Sequence, residues 1–456
     1  MVTGRANELH YLNTVYARAG SQLLVVYGQK NIGKTTLLHE FAKGKDSFYH
    51  LAQPSGTRQQ LYLFSQALRA NGHTLPDYPD YDTVFEVIAR PVSPGQKKVF
   101  IFDEWEHLIR NDDAFMEAVT KLLHHVYGQE DVLVILCSSA VGFVENGMVS
   151  KIGKAAHEIT GFLKIKEQKF ADVIRYFSSS SMEECILYYA ILGGVPGLWH
   201  YFEPAHSLRE NICNHILKPG SYLLEEGGRI VKEELRETSV YYTILAALAG
   251  GRCKLNELYL HTGFSRAKIS VYLKNLMELE IVEKVFSIDT PGRDSQKKGV
   301  YRISNAFVRF WFSYIYPHLE DLYSMSADAY YRQHIEPTLL KYCDDCFSLV
   351  CQEYMMLSAG RQALPFKPEK TGIFDGKAGR IDFVGQNEEG KTICAFSSFS
   401  KPMVTYEDYK QGLTVIEQAK LSADYIYLFA RGRFDEKLTL EAKVKGTVTL
   451  IGMDDL

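Results

Sequence analysis

The chain has 456 residues, too many for one hydrophobic core, so several domains are expected. Apolar residues at 46% and charged residues at 23% exclude a disordered or fibrous chain, since neither could bury enough apolar surface at such a balance. A net charge of -4 excludes a surface that is basic all over, so any nucleic-acid contact must be regional. The opening Met1-Val2-Thr3-Gly4-Arg5 has no apolar signal core, and apolar stretches such as 241–250 fall far short of the roughly 20 residues of a membrane span. A soluble, cytoplasmic protein with no membrane partner is expected. Without a secretory signal the eight cysteines read as reduced thiols. Cys343-x-x-Cys346 with Cys351 looks like half a zinc site, but Tyr342, Cys346, Phe347 and Val350 fall at helical spacing. A closed zinc site needs four ligands, so a buried helix face is the expected reading.

In chain order, residues 1–165 alternate a strand at 23–27, a helix from Lys34, a strand at 99–102, a helix over 115–127 and a strand at 132–137. This pattern predicts an α/β domain with a mainly parallel sheet, whose ligands sit at the strand C-termini. Over 166–238 short helical patterns interrupted by Gly193-Gly194-Val195-Pro196 predict a helical lid. Residues 239–318 give helices at 242–248 and 254–261, a turn at Thr262-Gly263-Phe264, and a third helix capped by Ser265 and running to 279. Two strand-like segments, 281–287 and 300–303, follow, which makes a winged helix-turn-helix. The remainder, 319–456, begins with helices through 327–356 and changes to strands at 380–384, 392–396 and 425–430, with a helix at 406–419. A separate α/β domain is expected there.

The chemistry concentrates in the first domain. Gly28-Gln29-Lys30-Asn31-Ile32-Gly33-Lys34-Thr35 follows an apolar strand and opens a helix with Leu37, Leu38 and Phe41 at helical spacing, the context a phosphate loop requires. Glycines let backbone N–H groups turn inward on phosphates, and the helix N-terminus adds its positive dipole end. Gly28, Asn31, Ile32, Gly33, Lys34, Thr35 and Thr36 are therefore the candidate nucleotide contacts, with Lys34 on the β- and γ-phosphates and Thr35 on magnesium. In Phe100-Ile101-Phe102-Asp103-Glu104, Asp103 is the second magnesium candidate and Glu104 the base for the attacking water. The alternative is an acid pair that merely starts a helix ahead of Trp105 and Leu108. Ser138, at the end of the next strand, is the candidate contact to the γ-phosphate, or else a helix cap. ATP and Mg²⁺ are the expected cofactors, and hydrolysis of ATP the expected reaction.

This order of motifs resembles the archaeal-type ATPase family within the AAA+/STAND group of P-loop NTPases, over essentially the whole chain. The resemblance rests on Gly4-Arg5-x-x-Glu8-Leu9, the phosphate loop, Phe102-Asp103-Glu104, Ser138-Ser139 and Gly193-Gly194-Val195-Pro196. It implies that Arg5 and Pro196 lie on the adenine side; an interhelical turn is the other reading of Pro196. Family members often carry Leu-Tyr-Gly-Arg after the third strand, where this chain has Lys151-Ile152-Gly153-Lys154. Lysine lacks the planar fork of arginine, so with Lys154 in that role hydrolysis is expected to be slow or dependent on another chain.

The winged helix matches what this family carries after its ATPase. Ile269, Tyr272, Leu273, Leu276 and Leu279 form an apolar stripe that leaves Arg266, Lys268, Ser270, Lys274 and Asn275 outward. Ten Lys/Arg stand against six Asp/Glu over 252–303, with Arg293, Lys297 and Lys298 on the wing. Arg266, Lys268, Lys274 and Lys297 are the candidate DNA contacts, with a protein-interaction module as the alternative. The last segment resembles the DUF234-type module, related to restriction-endonuclease-like PD-(D/E)xK folds. Asp382 matches the first acid, and Glu353 is a candidate additional acid. Ala395 and Ser397 stand where Glu and Lys would be, which implies a degenerate nuclease site and a docking domain for a protein partner. Three readings follow: an ATP-driven molecular switch, a DNA-binding regulator with structural ATP, and an ATP-dependent nuclease, the last weakened by Ala395 and Ser397.

Overall fold

A strand covered on both faces must be apolar at nearly every position, and the sequence meets that demand at the centre of the first sheet. The computed structural model describes residues 3–70, 72–90, 96–110, 113–235, 237–289, 299–377 and 379–456. Strands β1 (Gln22–Tyr27), β2 (Ser47–Leu51), β3 (Lys98–Asp103), β4 (Val132–Ser138) and β5 (Ile159–Lys164) pair in parallel in the order β2-β3-β4-β1-β5. All seven residues of β4 are buried. β2 and β5, at the two edges, are mostly half-exposed and carry polar residues, so no apolar run announces them. The register sets Tyr27 beside Ser138 and Asp103 beside Cys137, which brings the C-terminal ends of β1, β3 and β4 to one edge.

Helices α1 (Ala6–Tyr16), α2 (Lys34–Ala42), α3 (Thr57–Ala70), α4 (Tyr81–Ala89), α5 (Ala114–Leu123) and α6 (Met148–Ile152) accompany this sheet. One core cluster is strongly aromatic: Phe102 meets Phe115 edge-on at 5.1 Å and stacks with Phe85 at 5.7 Å. Such pairs add about 0.5–1.5 kcal/mol each beyond the area they bury. The helix expected over 115–127 ends at Leu123, because His125 takes a left-handed backbone (φ 60°) and turns the chain. Val126, which lengthened the apolar pattern, is 63% exposed.

The chain divides into two units, one reaching to Glu167 with Val195–Gly197 added, the other comprising Gln168–Gly194 and Leu198–Leu456. The second unit opens with helices α7 (Phe170–Tyr176) and α8 (Met182–Leu192). After the short α9 (Pro196–Trp199) come α10 (Leu208–His215) and α11 (Tyr222–Glu234). α12 (Thr238–Ala249), α13 (Leu255–Thr262) and α14 (Arg266–Glu278) then lead to the antiparallel hairpin β6 (Val282–Val285) and β7 (Val300–Ile303), a winged helix-turn-helix. Ser265 caps α14 by accepting from the Lys268 N–H, and Ile269, Leu273 and Leu276 are fully buried.

The remaining strands are β8 (Lys370–Gly376), β9 (Gly379–Gln386), β10 (Thr392–Ser398), β11 (Met403–Val404), β12 (Tyr425–Ala430), β13 (Arg433–Phe434) and β14 (Val448–Ile451). A mixed sheet runs β14-β12-β10-β9-β8, antiparallel across β8, β9 and β10 and parallel from β10 to β14, while β11 pairs with β13. The long helix Leu339–Gly360 buries Cys343, Cys346 and Cys351 along one face, and burial pushes all three thiols up. The half zinc pattern is thus a helix face. Among the described residues no helix is long and apolar enough to cross a membrane.

Candidate nucleotide-binding site

The loop from Gly28 to Gly33 leaves β1 and feeds α2. Asn31 (φ 64°) and Gly33 (φ 92°) hold left-handed backbone, Asn being one of the few side chains that tolerates it. Gly33 is the N-cap of α2, so the open N–H groups of the first helical turn face the loop. The Lys34 ammonium, 5% exposed, donates to Gly28 O (2.8 Å), Gln29 O (3.0 Å) and Ser139 Oγ (2.8 Å). These acceptors are neutral, so an anion reaching the loop would find a buried cation with no carboxylate pairing it among the described residues. Thr36 is exposed one residue beyond Thr35, and Ile32 is buried.

The acids sit at the end of β3. Asp103, 2% exposed, accepts at Oδ2 from Thr35 Oγ1 (2.7 Å) and Tyr49 Oη (2.9 Å), and at Oδ1 from the Glu104 N–H (3.1 Å). A hydroxyl beside a carboxylate is a hard oxygen donor set that suits Mg²⁺. Glu104 is held in left-handed backbone (φ 52°), a conformation that costs about 1–2 kcal/mol and is offset by its bonds. Its carboxylate accepts from the Ser139 N–H (3.1 Å) and from the Ser139 hydroxyl. Ser139 therefore bridges Lys34 and Glu104. Ser138 is fully buried; its Oγ accepts from the Ala140 N–H (3.0 Å) and stands beside the Glu106 carboxyl. Glu106, in the turn Trp105–His107, is pushed up to about 8, first by burial and then by the Glu104 carboxylate.

Two further segments support the loop. The Arg5 guanidinium, 3% exposed, donates to Ile32 O (2.9 Å) and to Glu8 Oε1 (2.9 Å). Pro196 opens α9, and the Gly197 N–H donates to Asn31 O (2.9 Å). A Cβ on Gly197 would come within 2.7 Å of Asn31 Cβ and O, so only glycine fits against the loop there.

A family model described as an ATPase domain predominantly from Archaea matches residues 3–202. The DUF234 model, described as archaeal and bacterial proteins of unknown function, matches residues 311–397. The chain carries an archaeal-type ATPase domain and a DUF234 domain. The model of the arsR family of bacterial regulatory proteins matches residues 242–284, the helices of the winged helix. An uncharacterised protein of Methanocaldococcus jannaschii is 26% identical over 395 residues, covering 86% of this chain and 85% of that one. A Walker-type ATPase of Pyrococcus abyssi shares 16% identity over 68% of this chain and 96% of its own, at a TM-score of 0.47. The ORC2 protein of Aeropyrum pernix in ADPNP–ADP complexes shares 14% over 71% and 94%, at a TM-score of 0.46.

Outside the ATPase site the expected residues fare unevenly. Lys154 lines a cleft of about 600 Å³ together with Ile109, Met116 and Lys121, none of them from the phosphate loop. Among the described residues Lys154 makes no hydrogen bond to Lys34 or Glu104, whose partners are Gly28, Gln29 and Ser139. On α14, Arg266, Lys268 and Lys274 are exposed; Arg266 lies over the Tyr259 ring (4.0 Å) and Lys274 faces Glu278 (3.5 Å). Asn275 is not outward, since its amide donates to Tyr241 Oη (2.7 Å). Arg293, Lys297 and Lys298 lie outside the described residues.

In the DUF234 domain, Asp382 accepts from Ser397 N (2.8 Å) and Oγ (2.9 Å) and pairs with Arg380 Nε (3.1 Å), while Ala395 is buried opposite Phe383. Glu353 is no additional acid for it. Its carboxylate instead accepts from Phe170 N (3.1 Å) and Tyr189 Oη (3.4 Å), and burial raises its pKa. Sequence reading missed Ser139, Tyr49, Glu106 and Gly197. For Ser139 and Gly197 the signal was adjacency to a chosen neighbour; for Tyr49 it was the aromatic Phe48-Tyr49-His50 run.

Proposed function

We propose that this protein is an ATP-driven switch that hydrolyses ATP with magnesium. The observation that carries the reading is the Ser139 bridge between Lys34 and Glu104. A γ-phosphate arriving at Lys34 competes for the Ser139 hydroxyl, so the state of Glu104 depends on the third phosphate. Thr35 and Asp103 would hold Mg²⁺, which supplies neutralising charge to the β- and γ-phosphates. Glu104 then takes a proton from the water that attacks the γ-phosphorus, and ADP leaves with the former bridging oxygen. Asp103 keeps its orientation through Tyr49, and Arg5 fixes the loop at Ile32. A lysine at Lys154 lacks the planar fork of arginine, which favours slow turnover.

Coupling runs through the backbone. The loop residue Asn31 accepts from Gly197, and the chain passes directly from Gly197 into Leu198 of the second unit. The DUF234 domain serves as a docking module, because Asp382 is tied to Ser397 and to the Arg380 guanidinium, which also holds Asp345. A second reading, a DNA-binding regulator with structural ATP, draws on the exposed Arg266, Lys268 and Lys274. Lys34→Ala is expected to abolish tight ATP binding, whereas Glu104→Gln keeps binding and loses turnover, since a base matters mainly in the transition state. Unchanged hydrolysis in Glu104→Gln would remove the acid from its role.

A further inference from the structure

We infer that Glu203, His206 and His215 form a binding site for a divalent transition-metal ion, with Zn²⁺ as the natural probe. One ligand atom from each of the three lies within 4.8 Å of the others. His206 Nδ1 stands 3.5 Å from Glu203 Oε2, and His215 Nε2 stands 3.8 Å from Glu203 Oε1. Both separations exceed the 2.7–3.2 Å of an N–H···O hydrogen bond. Neither ring nitrogen has a hydrogen-bond partner among the described residues, although both atoms are buried. The two buried imidazole nitrogens face one carboxylate whose side chain is 56% exposed, and a buried nitrogen without a hydrogen bond is costly.

A cation between them removes that cost. Zinc sits about 2.0–2.1 Å from nitrogen and 2.0–2.2 Å from oxygen, so neighbouring ligand atoms of a tetrahedral site lie about 3.3–3.5 Å apart. The two separations, one to each carboxylate oxygen, are within about half an ångström of that edge, and the three ligand atoms all lie within 4.8 Å. The donor set, two imidazoles and one carboxylate, suits zinc, cobalt or nickel, and leaves a coordination position for water.

The ligands are also held in advance. Asn211, fully buried on α10, accepts from Glu203 N (2.7 Å) and donates to Glu203 O (2.9 Å) and His206 O (3.2 Å). One side chain thus fixes the backbone that presents two ligands. His215 follows Asn211 by four residues, so the third ligand rises from the same face of α10. Ser207 and Glu210 close a capping box that locks the start of that helix. The metal would staple the 203–207 loop to the far end of α10.

A second cluster, His318, Asp321 and His334, supplies the control. There His334 Nε2 lies 2.9 Å from Asp321 Oδ2, closer than either separation in the first cluster although it too is buried without a hydrogen bond, and the two imidazoles stack at 4.0 Å.

The test uses the full chain, stripped with a chelator and titrated with Zn²⁺ against a chromophoric competitor. One equivalent is expected to bind. His206→Ala, His215→Ala and the near-isosteric Glu203→Gln should each weaken it at least about tenfold, the loss that even outer-shell changes produce. The double variant His318→Ala/His334→Ala should bind like the parent. Cobalt substitution should give ligand-field bands without thiolate charge transfer, which excludes the cysteines. Absence of stoichiometric uptake, uptake unchanged in Glu203→Gln, or uptake lost with His318 and His334 would each overturn the assignment. None of these readouts depends on ATP turnover.

Discussion

Replacing Ser139 with alanine separates a working γ-phosphate contact from a structural hydroxyl. The substitution removes two bonds: the one accepted from Lys34 at 2.8 Å and the one donated to Glu104. The Ser139 N–H bond to Glu104 at 3.1 Å survives, so the acid is not cut loose. Hydrogen bonds to charged groups contribute about 1.5–3 kcal/mol each. If one of the two persists into the transition state, turnover falls about 10- to 100-fold, because each 1.4 kcal/mol is a factor of ten. ADP affinity should change less than about threefold, since ADP brings no γ-phosphate. Ser138→Ala, which loses the bond to the Ala140 N–H and the contact with Glu106, should instead lower thermal stability, with turnover falling less than in Ser139→Ala. Steady-state ATPase rates and fluorescent-nucleotide titrations distinguish these outcomes. Turnover within twofold of the parent in Ser139→Ala, or ATP and ADP binding lost together, would refute the bridge as a γ-phosphate device.

Glu106→Gln should flatten the pH dependence of stability. The folded carboxyl keeps its proton up to about 8, against an ordinary value of 4.5, so its contribution to stability falls as pH rises between those limits. The slope is up to about 1.4 kcal/mol per pH unit for one proton. Urea denaturation of parent and variant from pH 5 to 8 checks this, and parallel curves would contradict it. If α14 touches DNA, Arg266→Glu and Lys274→Glu should weaken binding and reduce the salt slope by about 0.9 for each lost phosphate contact. The same duplex, held with magnesium and ATP, should remain uncut. Affinity absent even at low salt favours the protein-interaction reading, and cleavage that vanishes in Asp382→Ala would overturn the docking assignment.

Legibility tracked how local the signal was. The phosphate loop needed only an apolar strand, two glycines and a helix start in one stretch, and all of these are contiguous. The winged helix was legible for the same reason, with Ser265 marking its third helix and buried Ile269, Leu273 and Leu276 at helical spacing. β2 and β5 were not legible, because edge strands need no continuous apolar run, and Tyr49 was lost with β2. Ser138 and Ser139 are adjacent at a strand end, where successive side chains alternate faces, so composition alone could not say which one turns toward Lys34. Nothing in the sequence marks Glu106, which the turn at Trp105–His107 places beside Glu104. Glu353 shows the opposite failure: a motif position carried over by resemblance put it near Asp382, while hydrogen bonds from the Phe170 N–H and the Tyr189 hydroxyl claim its carboxylate. Glu203, His206 and His215 spread over a loop and a helix, so no sequence spacing announces them.

The central claim, that the third phosphate switches the molecule, is tested most directly by hydrogen exchange of the full chain. Amides would be compared with a non-hydrolysable ATP analogue and Mg²⁺, with ADP and Mg²⁺, and in Lys34→Ala. The account predicts a difference between the two nucleotides at the phosphate loop and at 195–197, extending into elements of the second unit such as α8 and α10, and none in Lys34→Ala. Identical exchange with ATP analogue and ADP beyond Gly197, with both nucleotides bound, would contradict it.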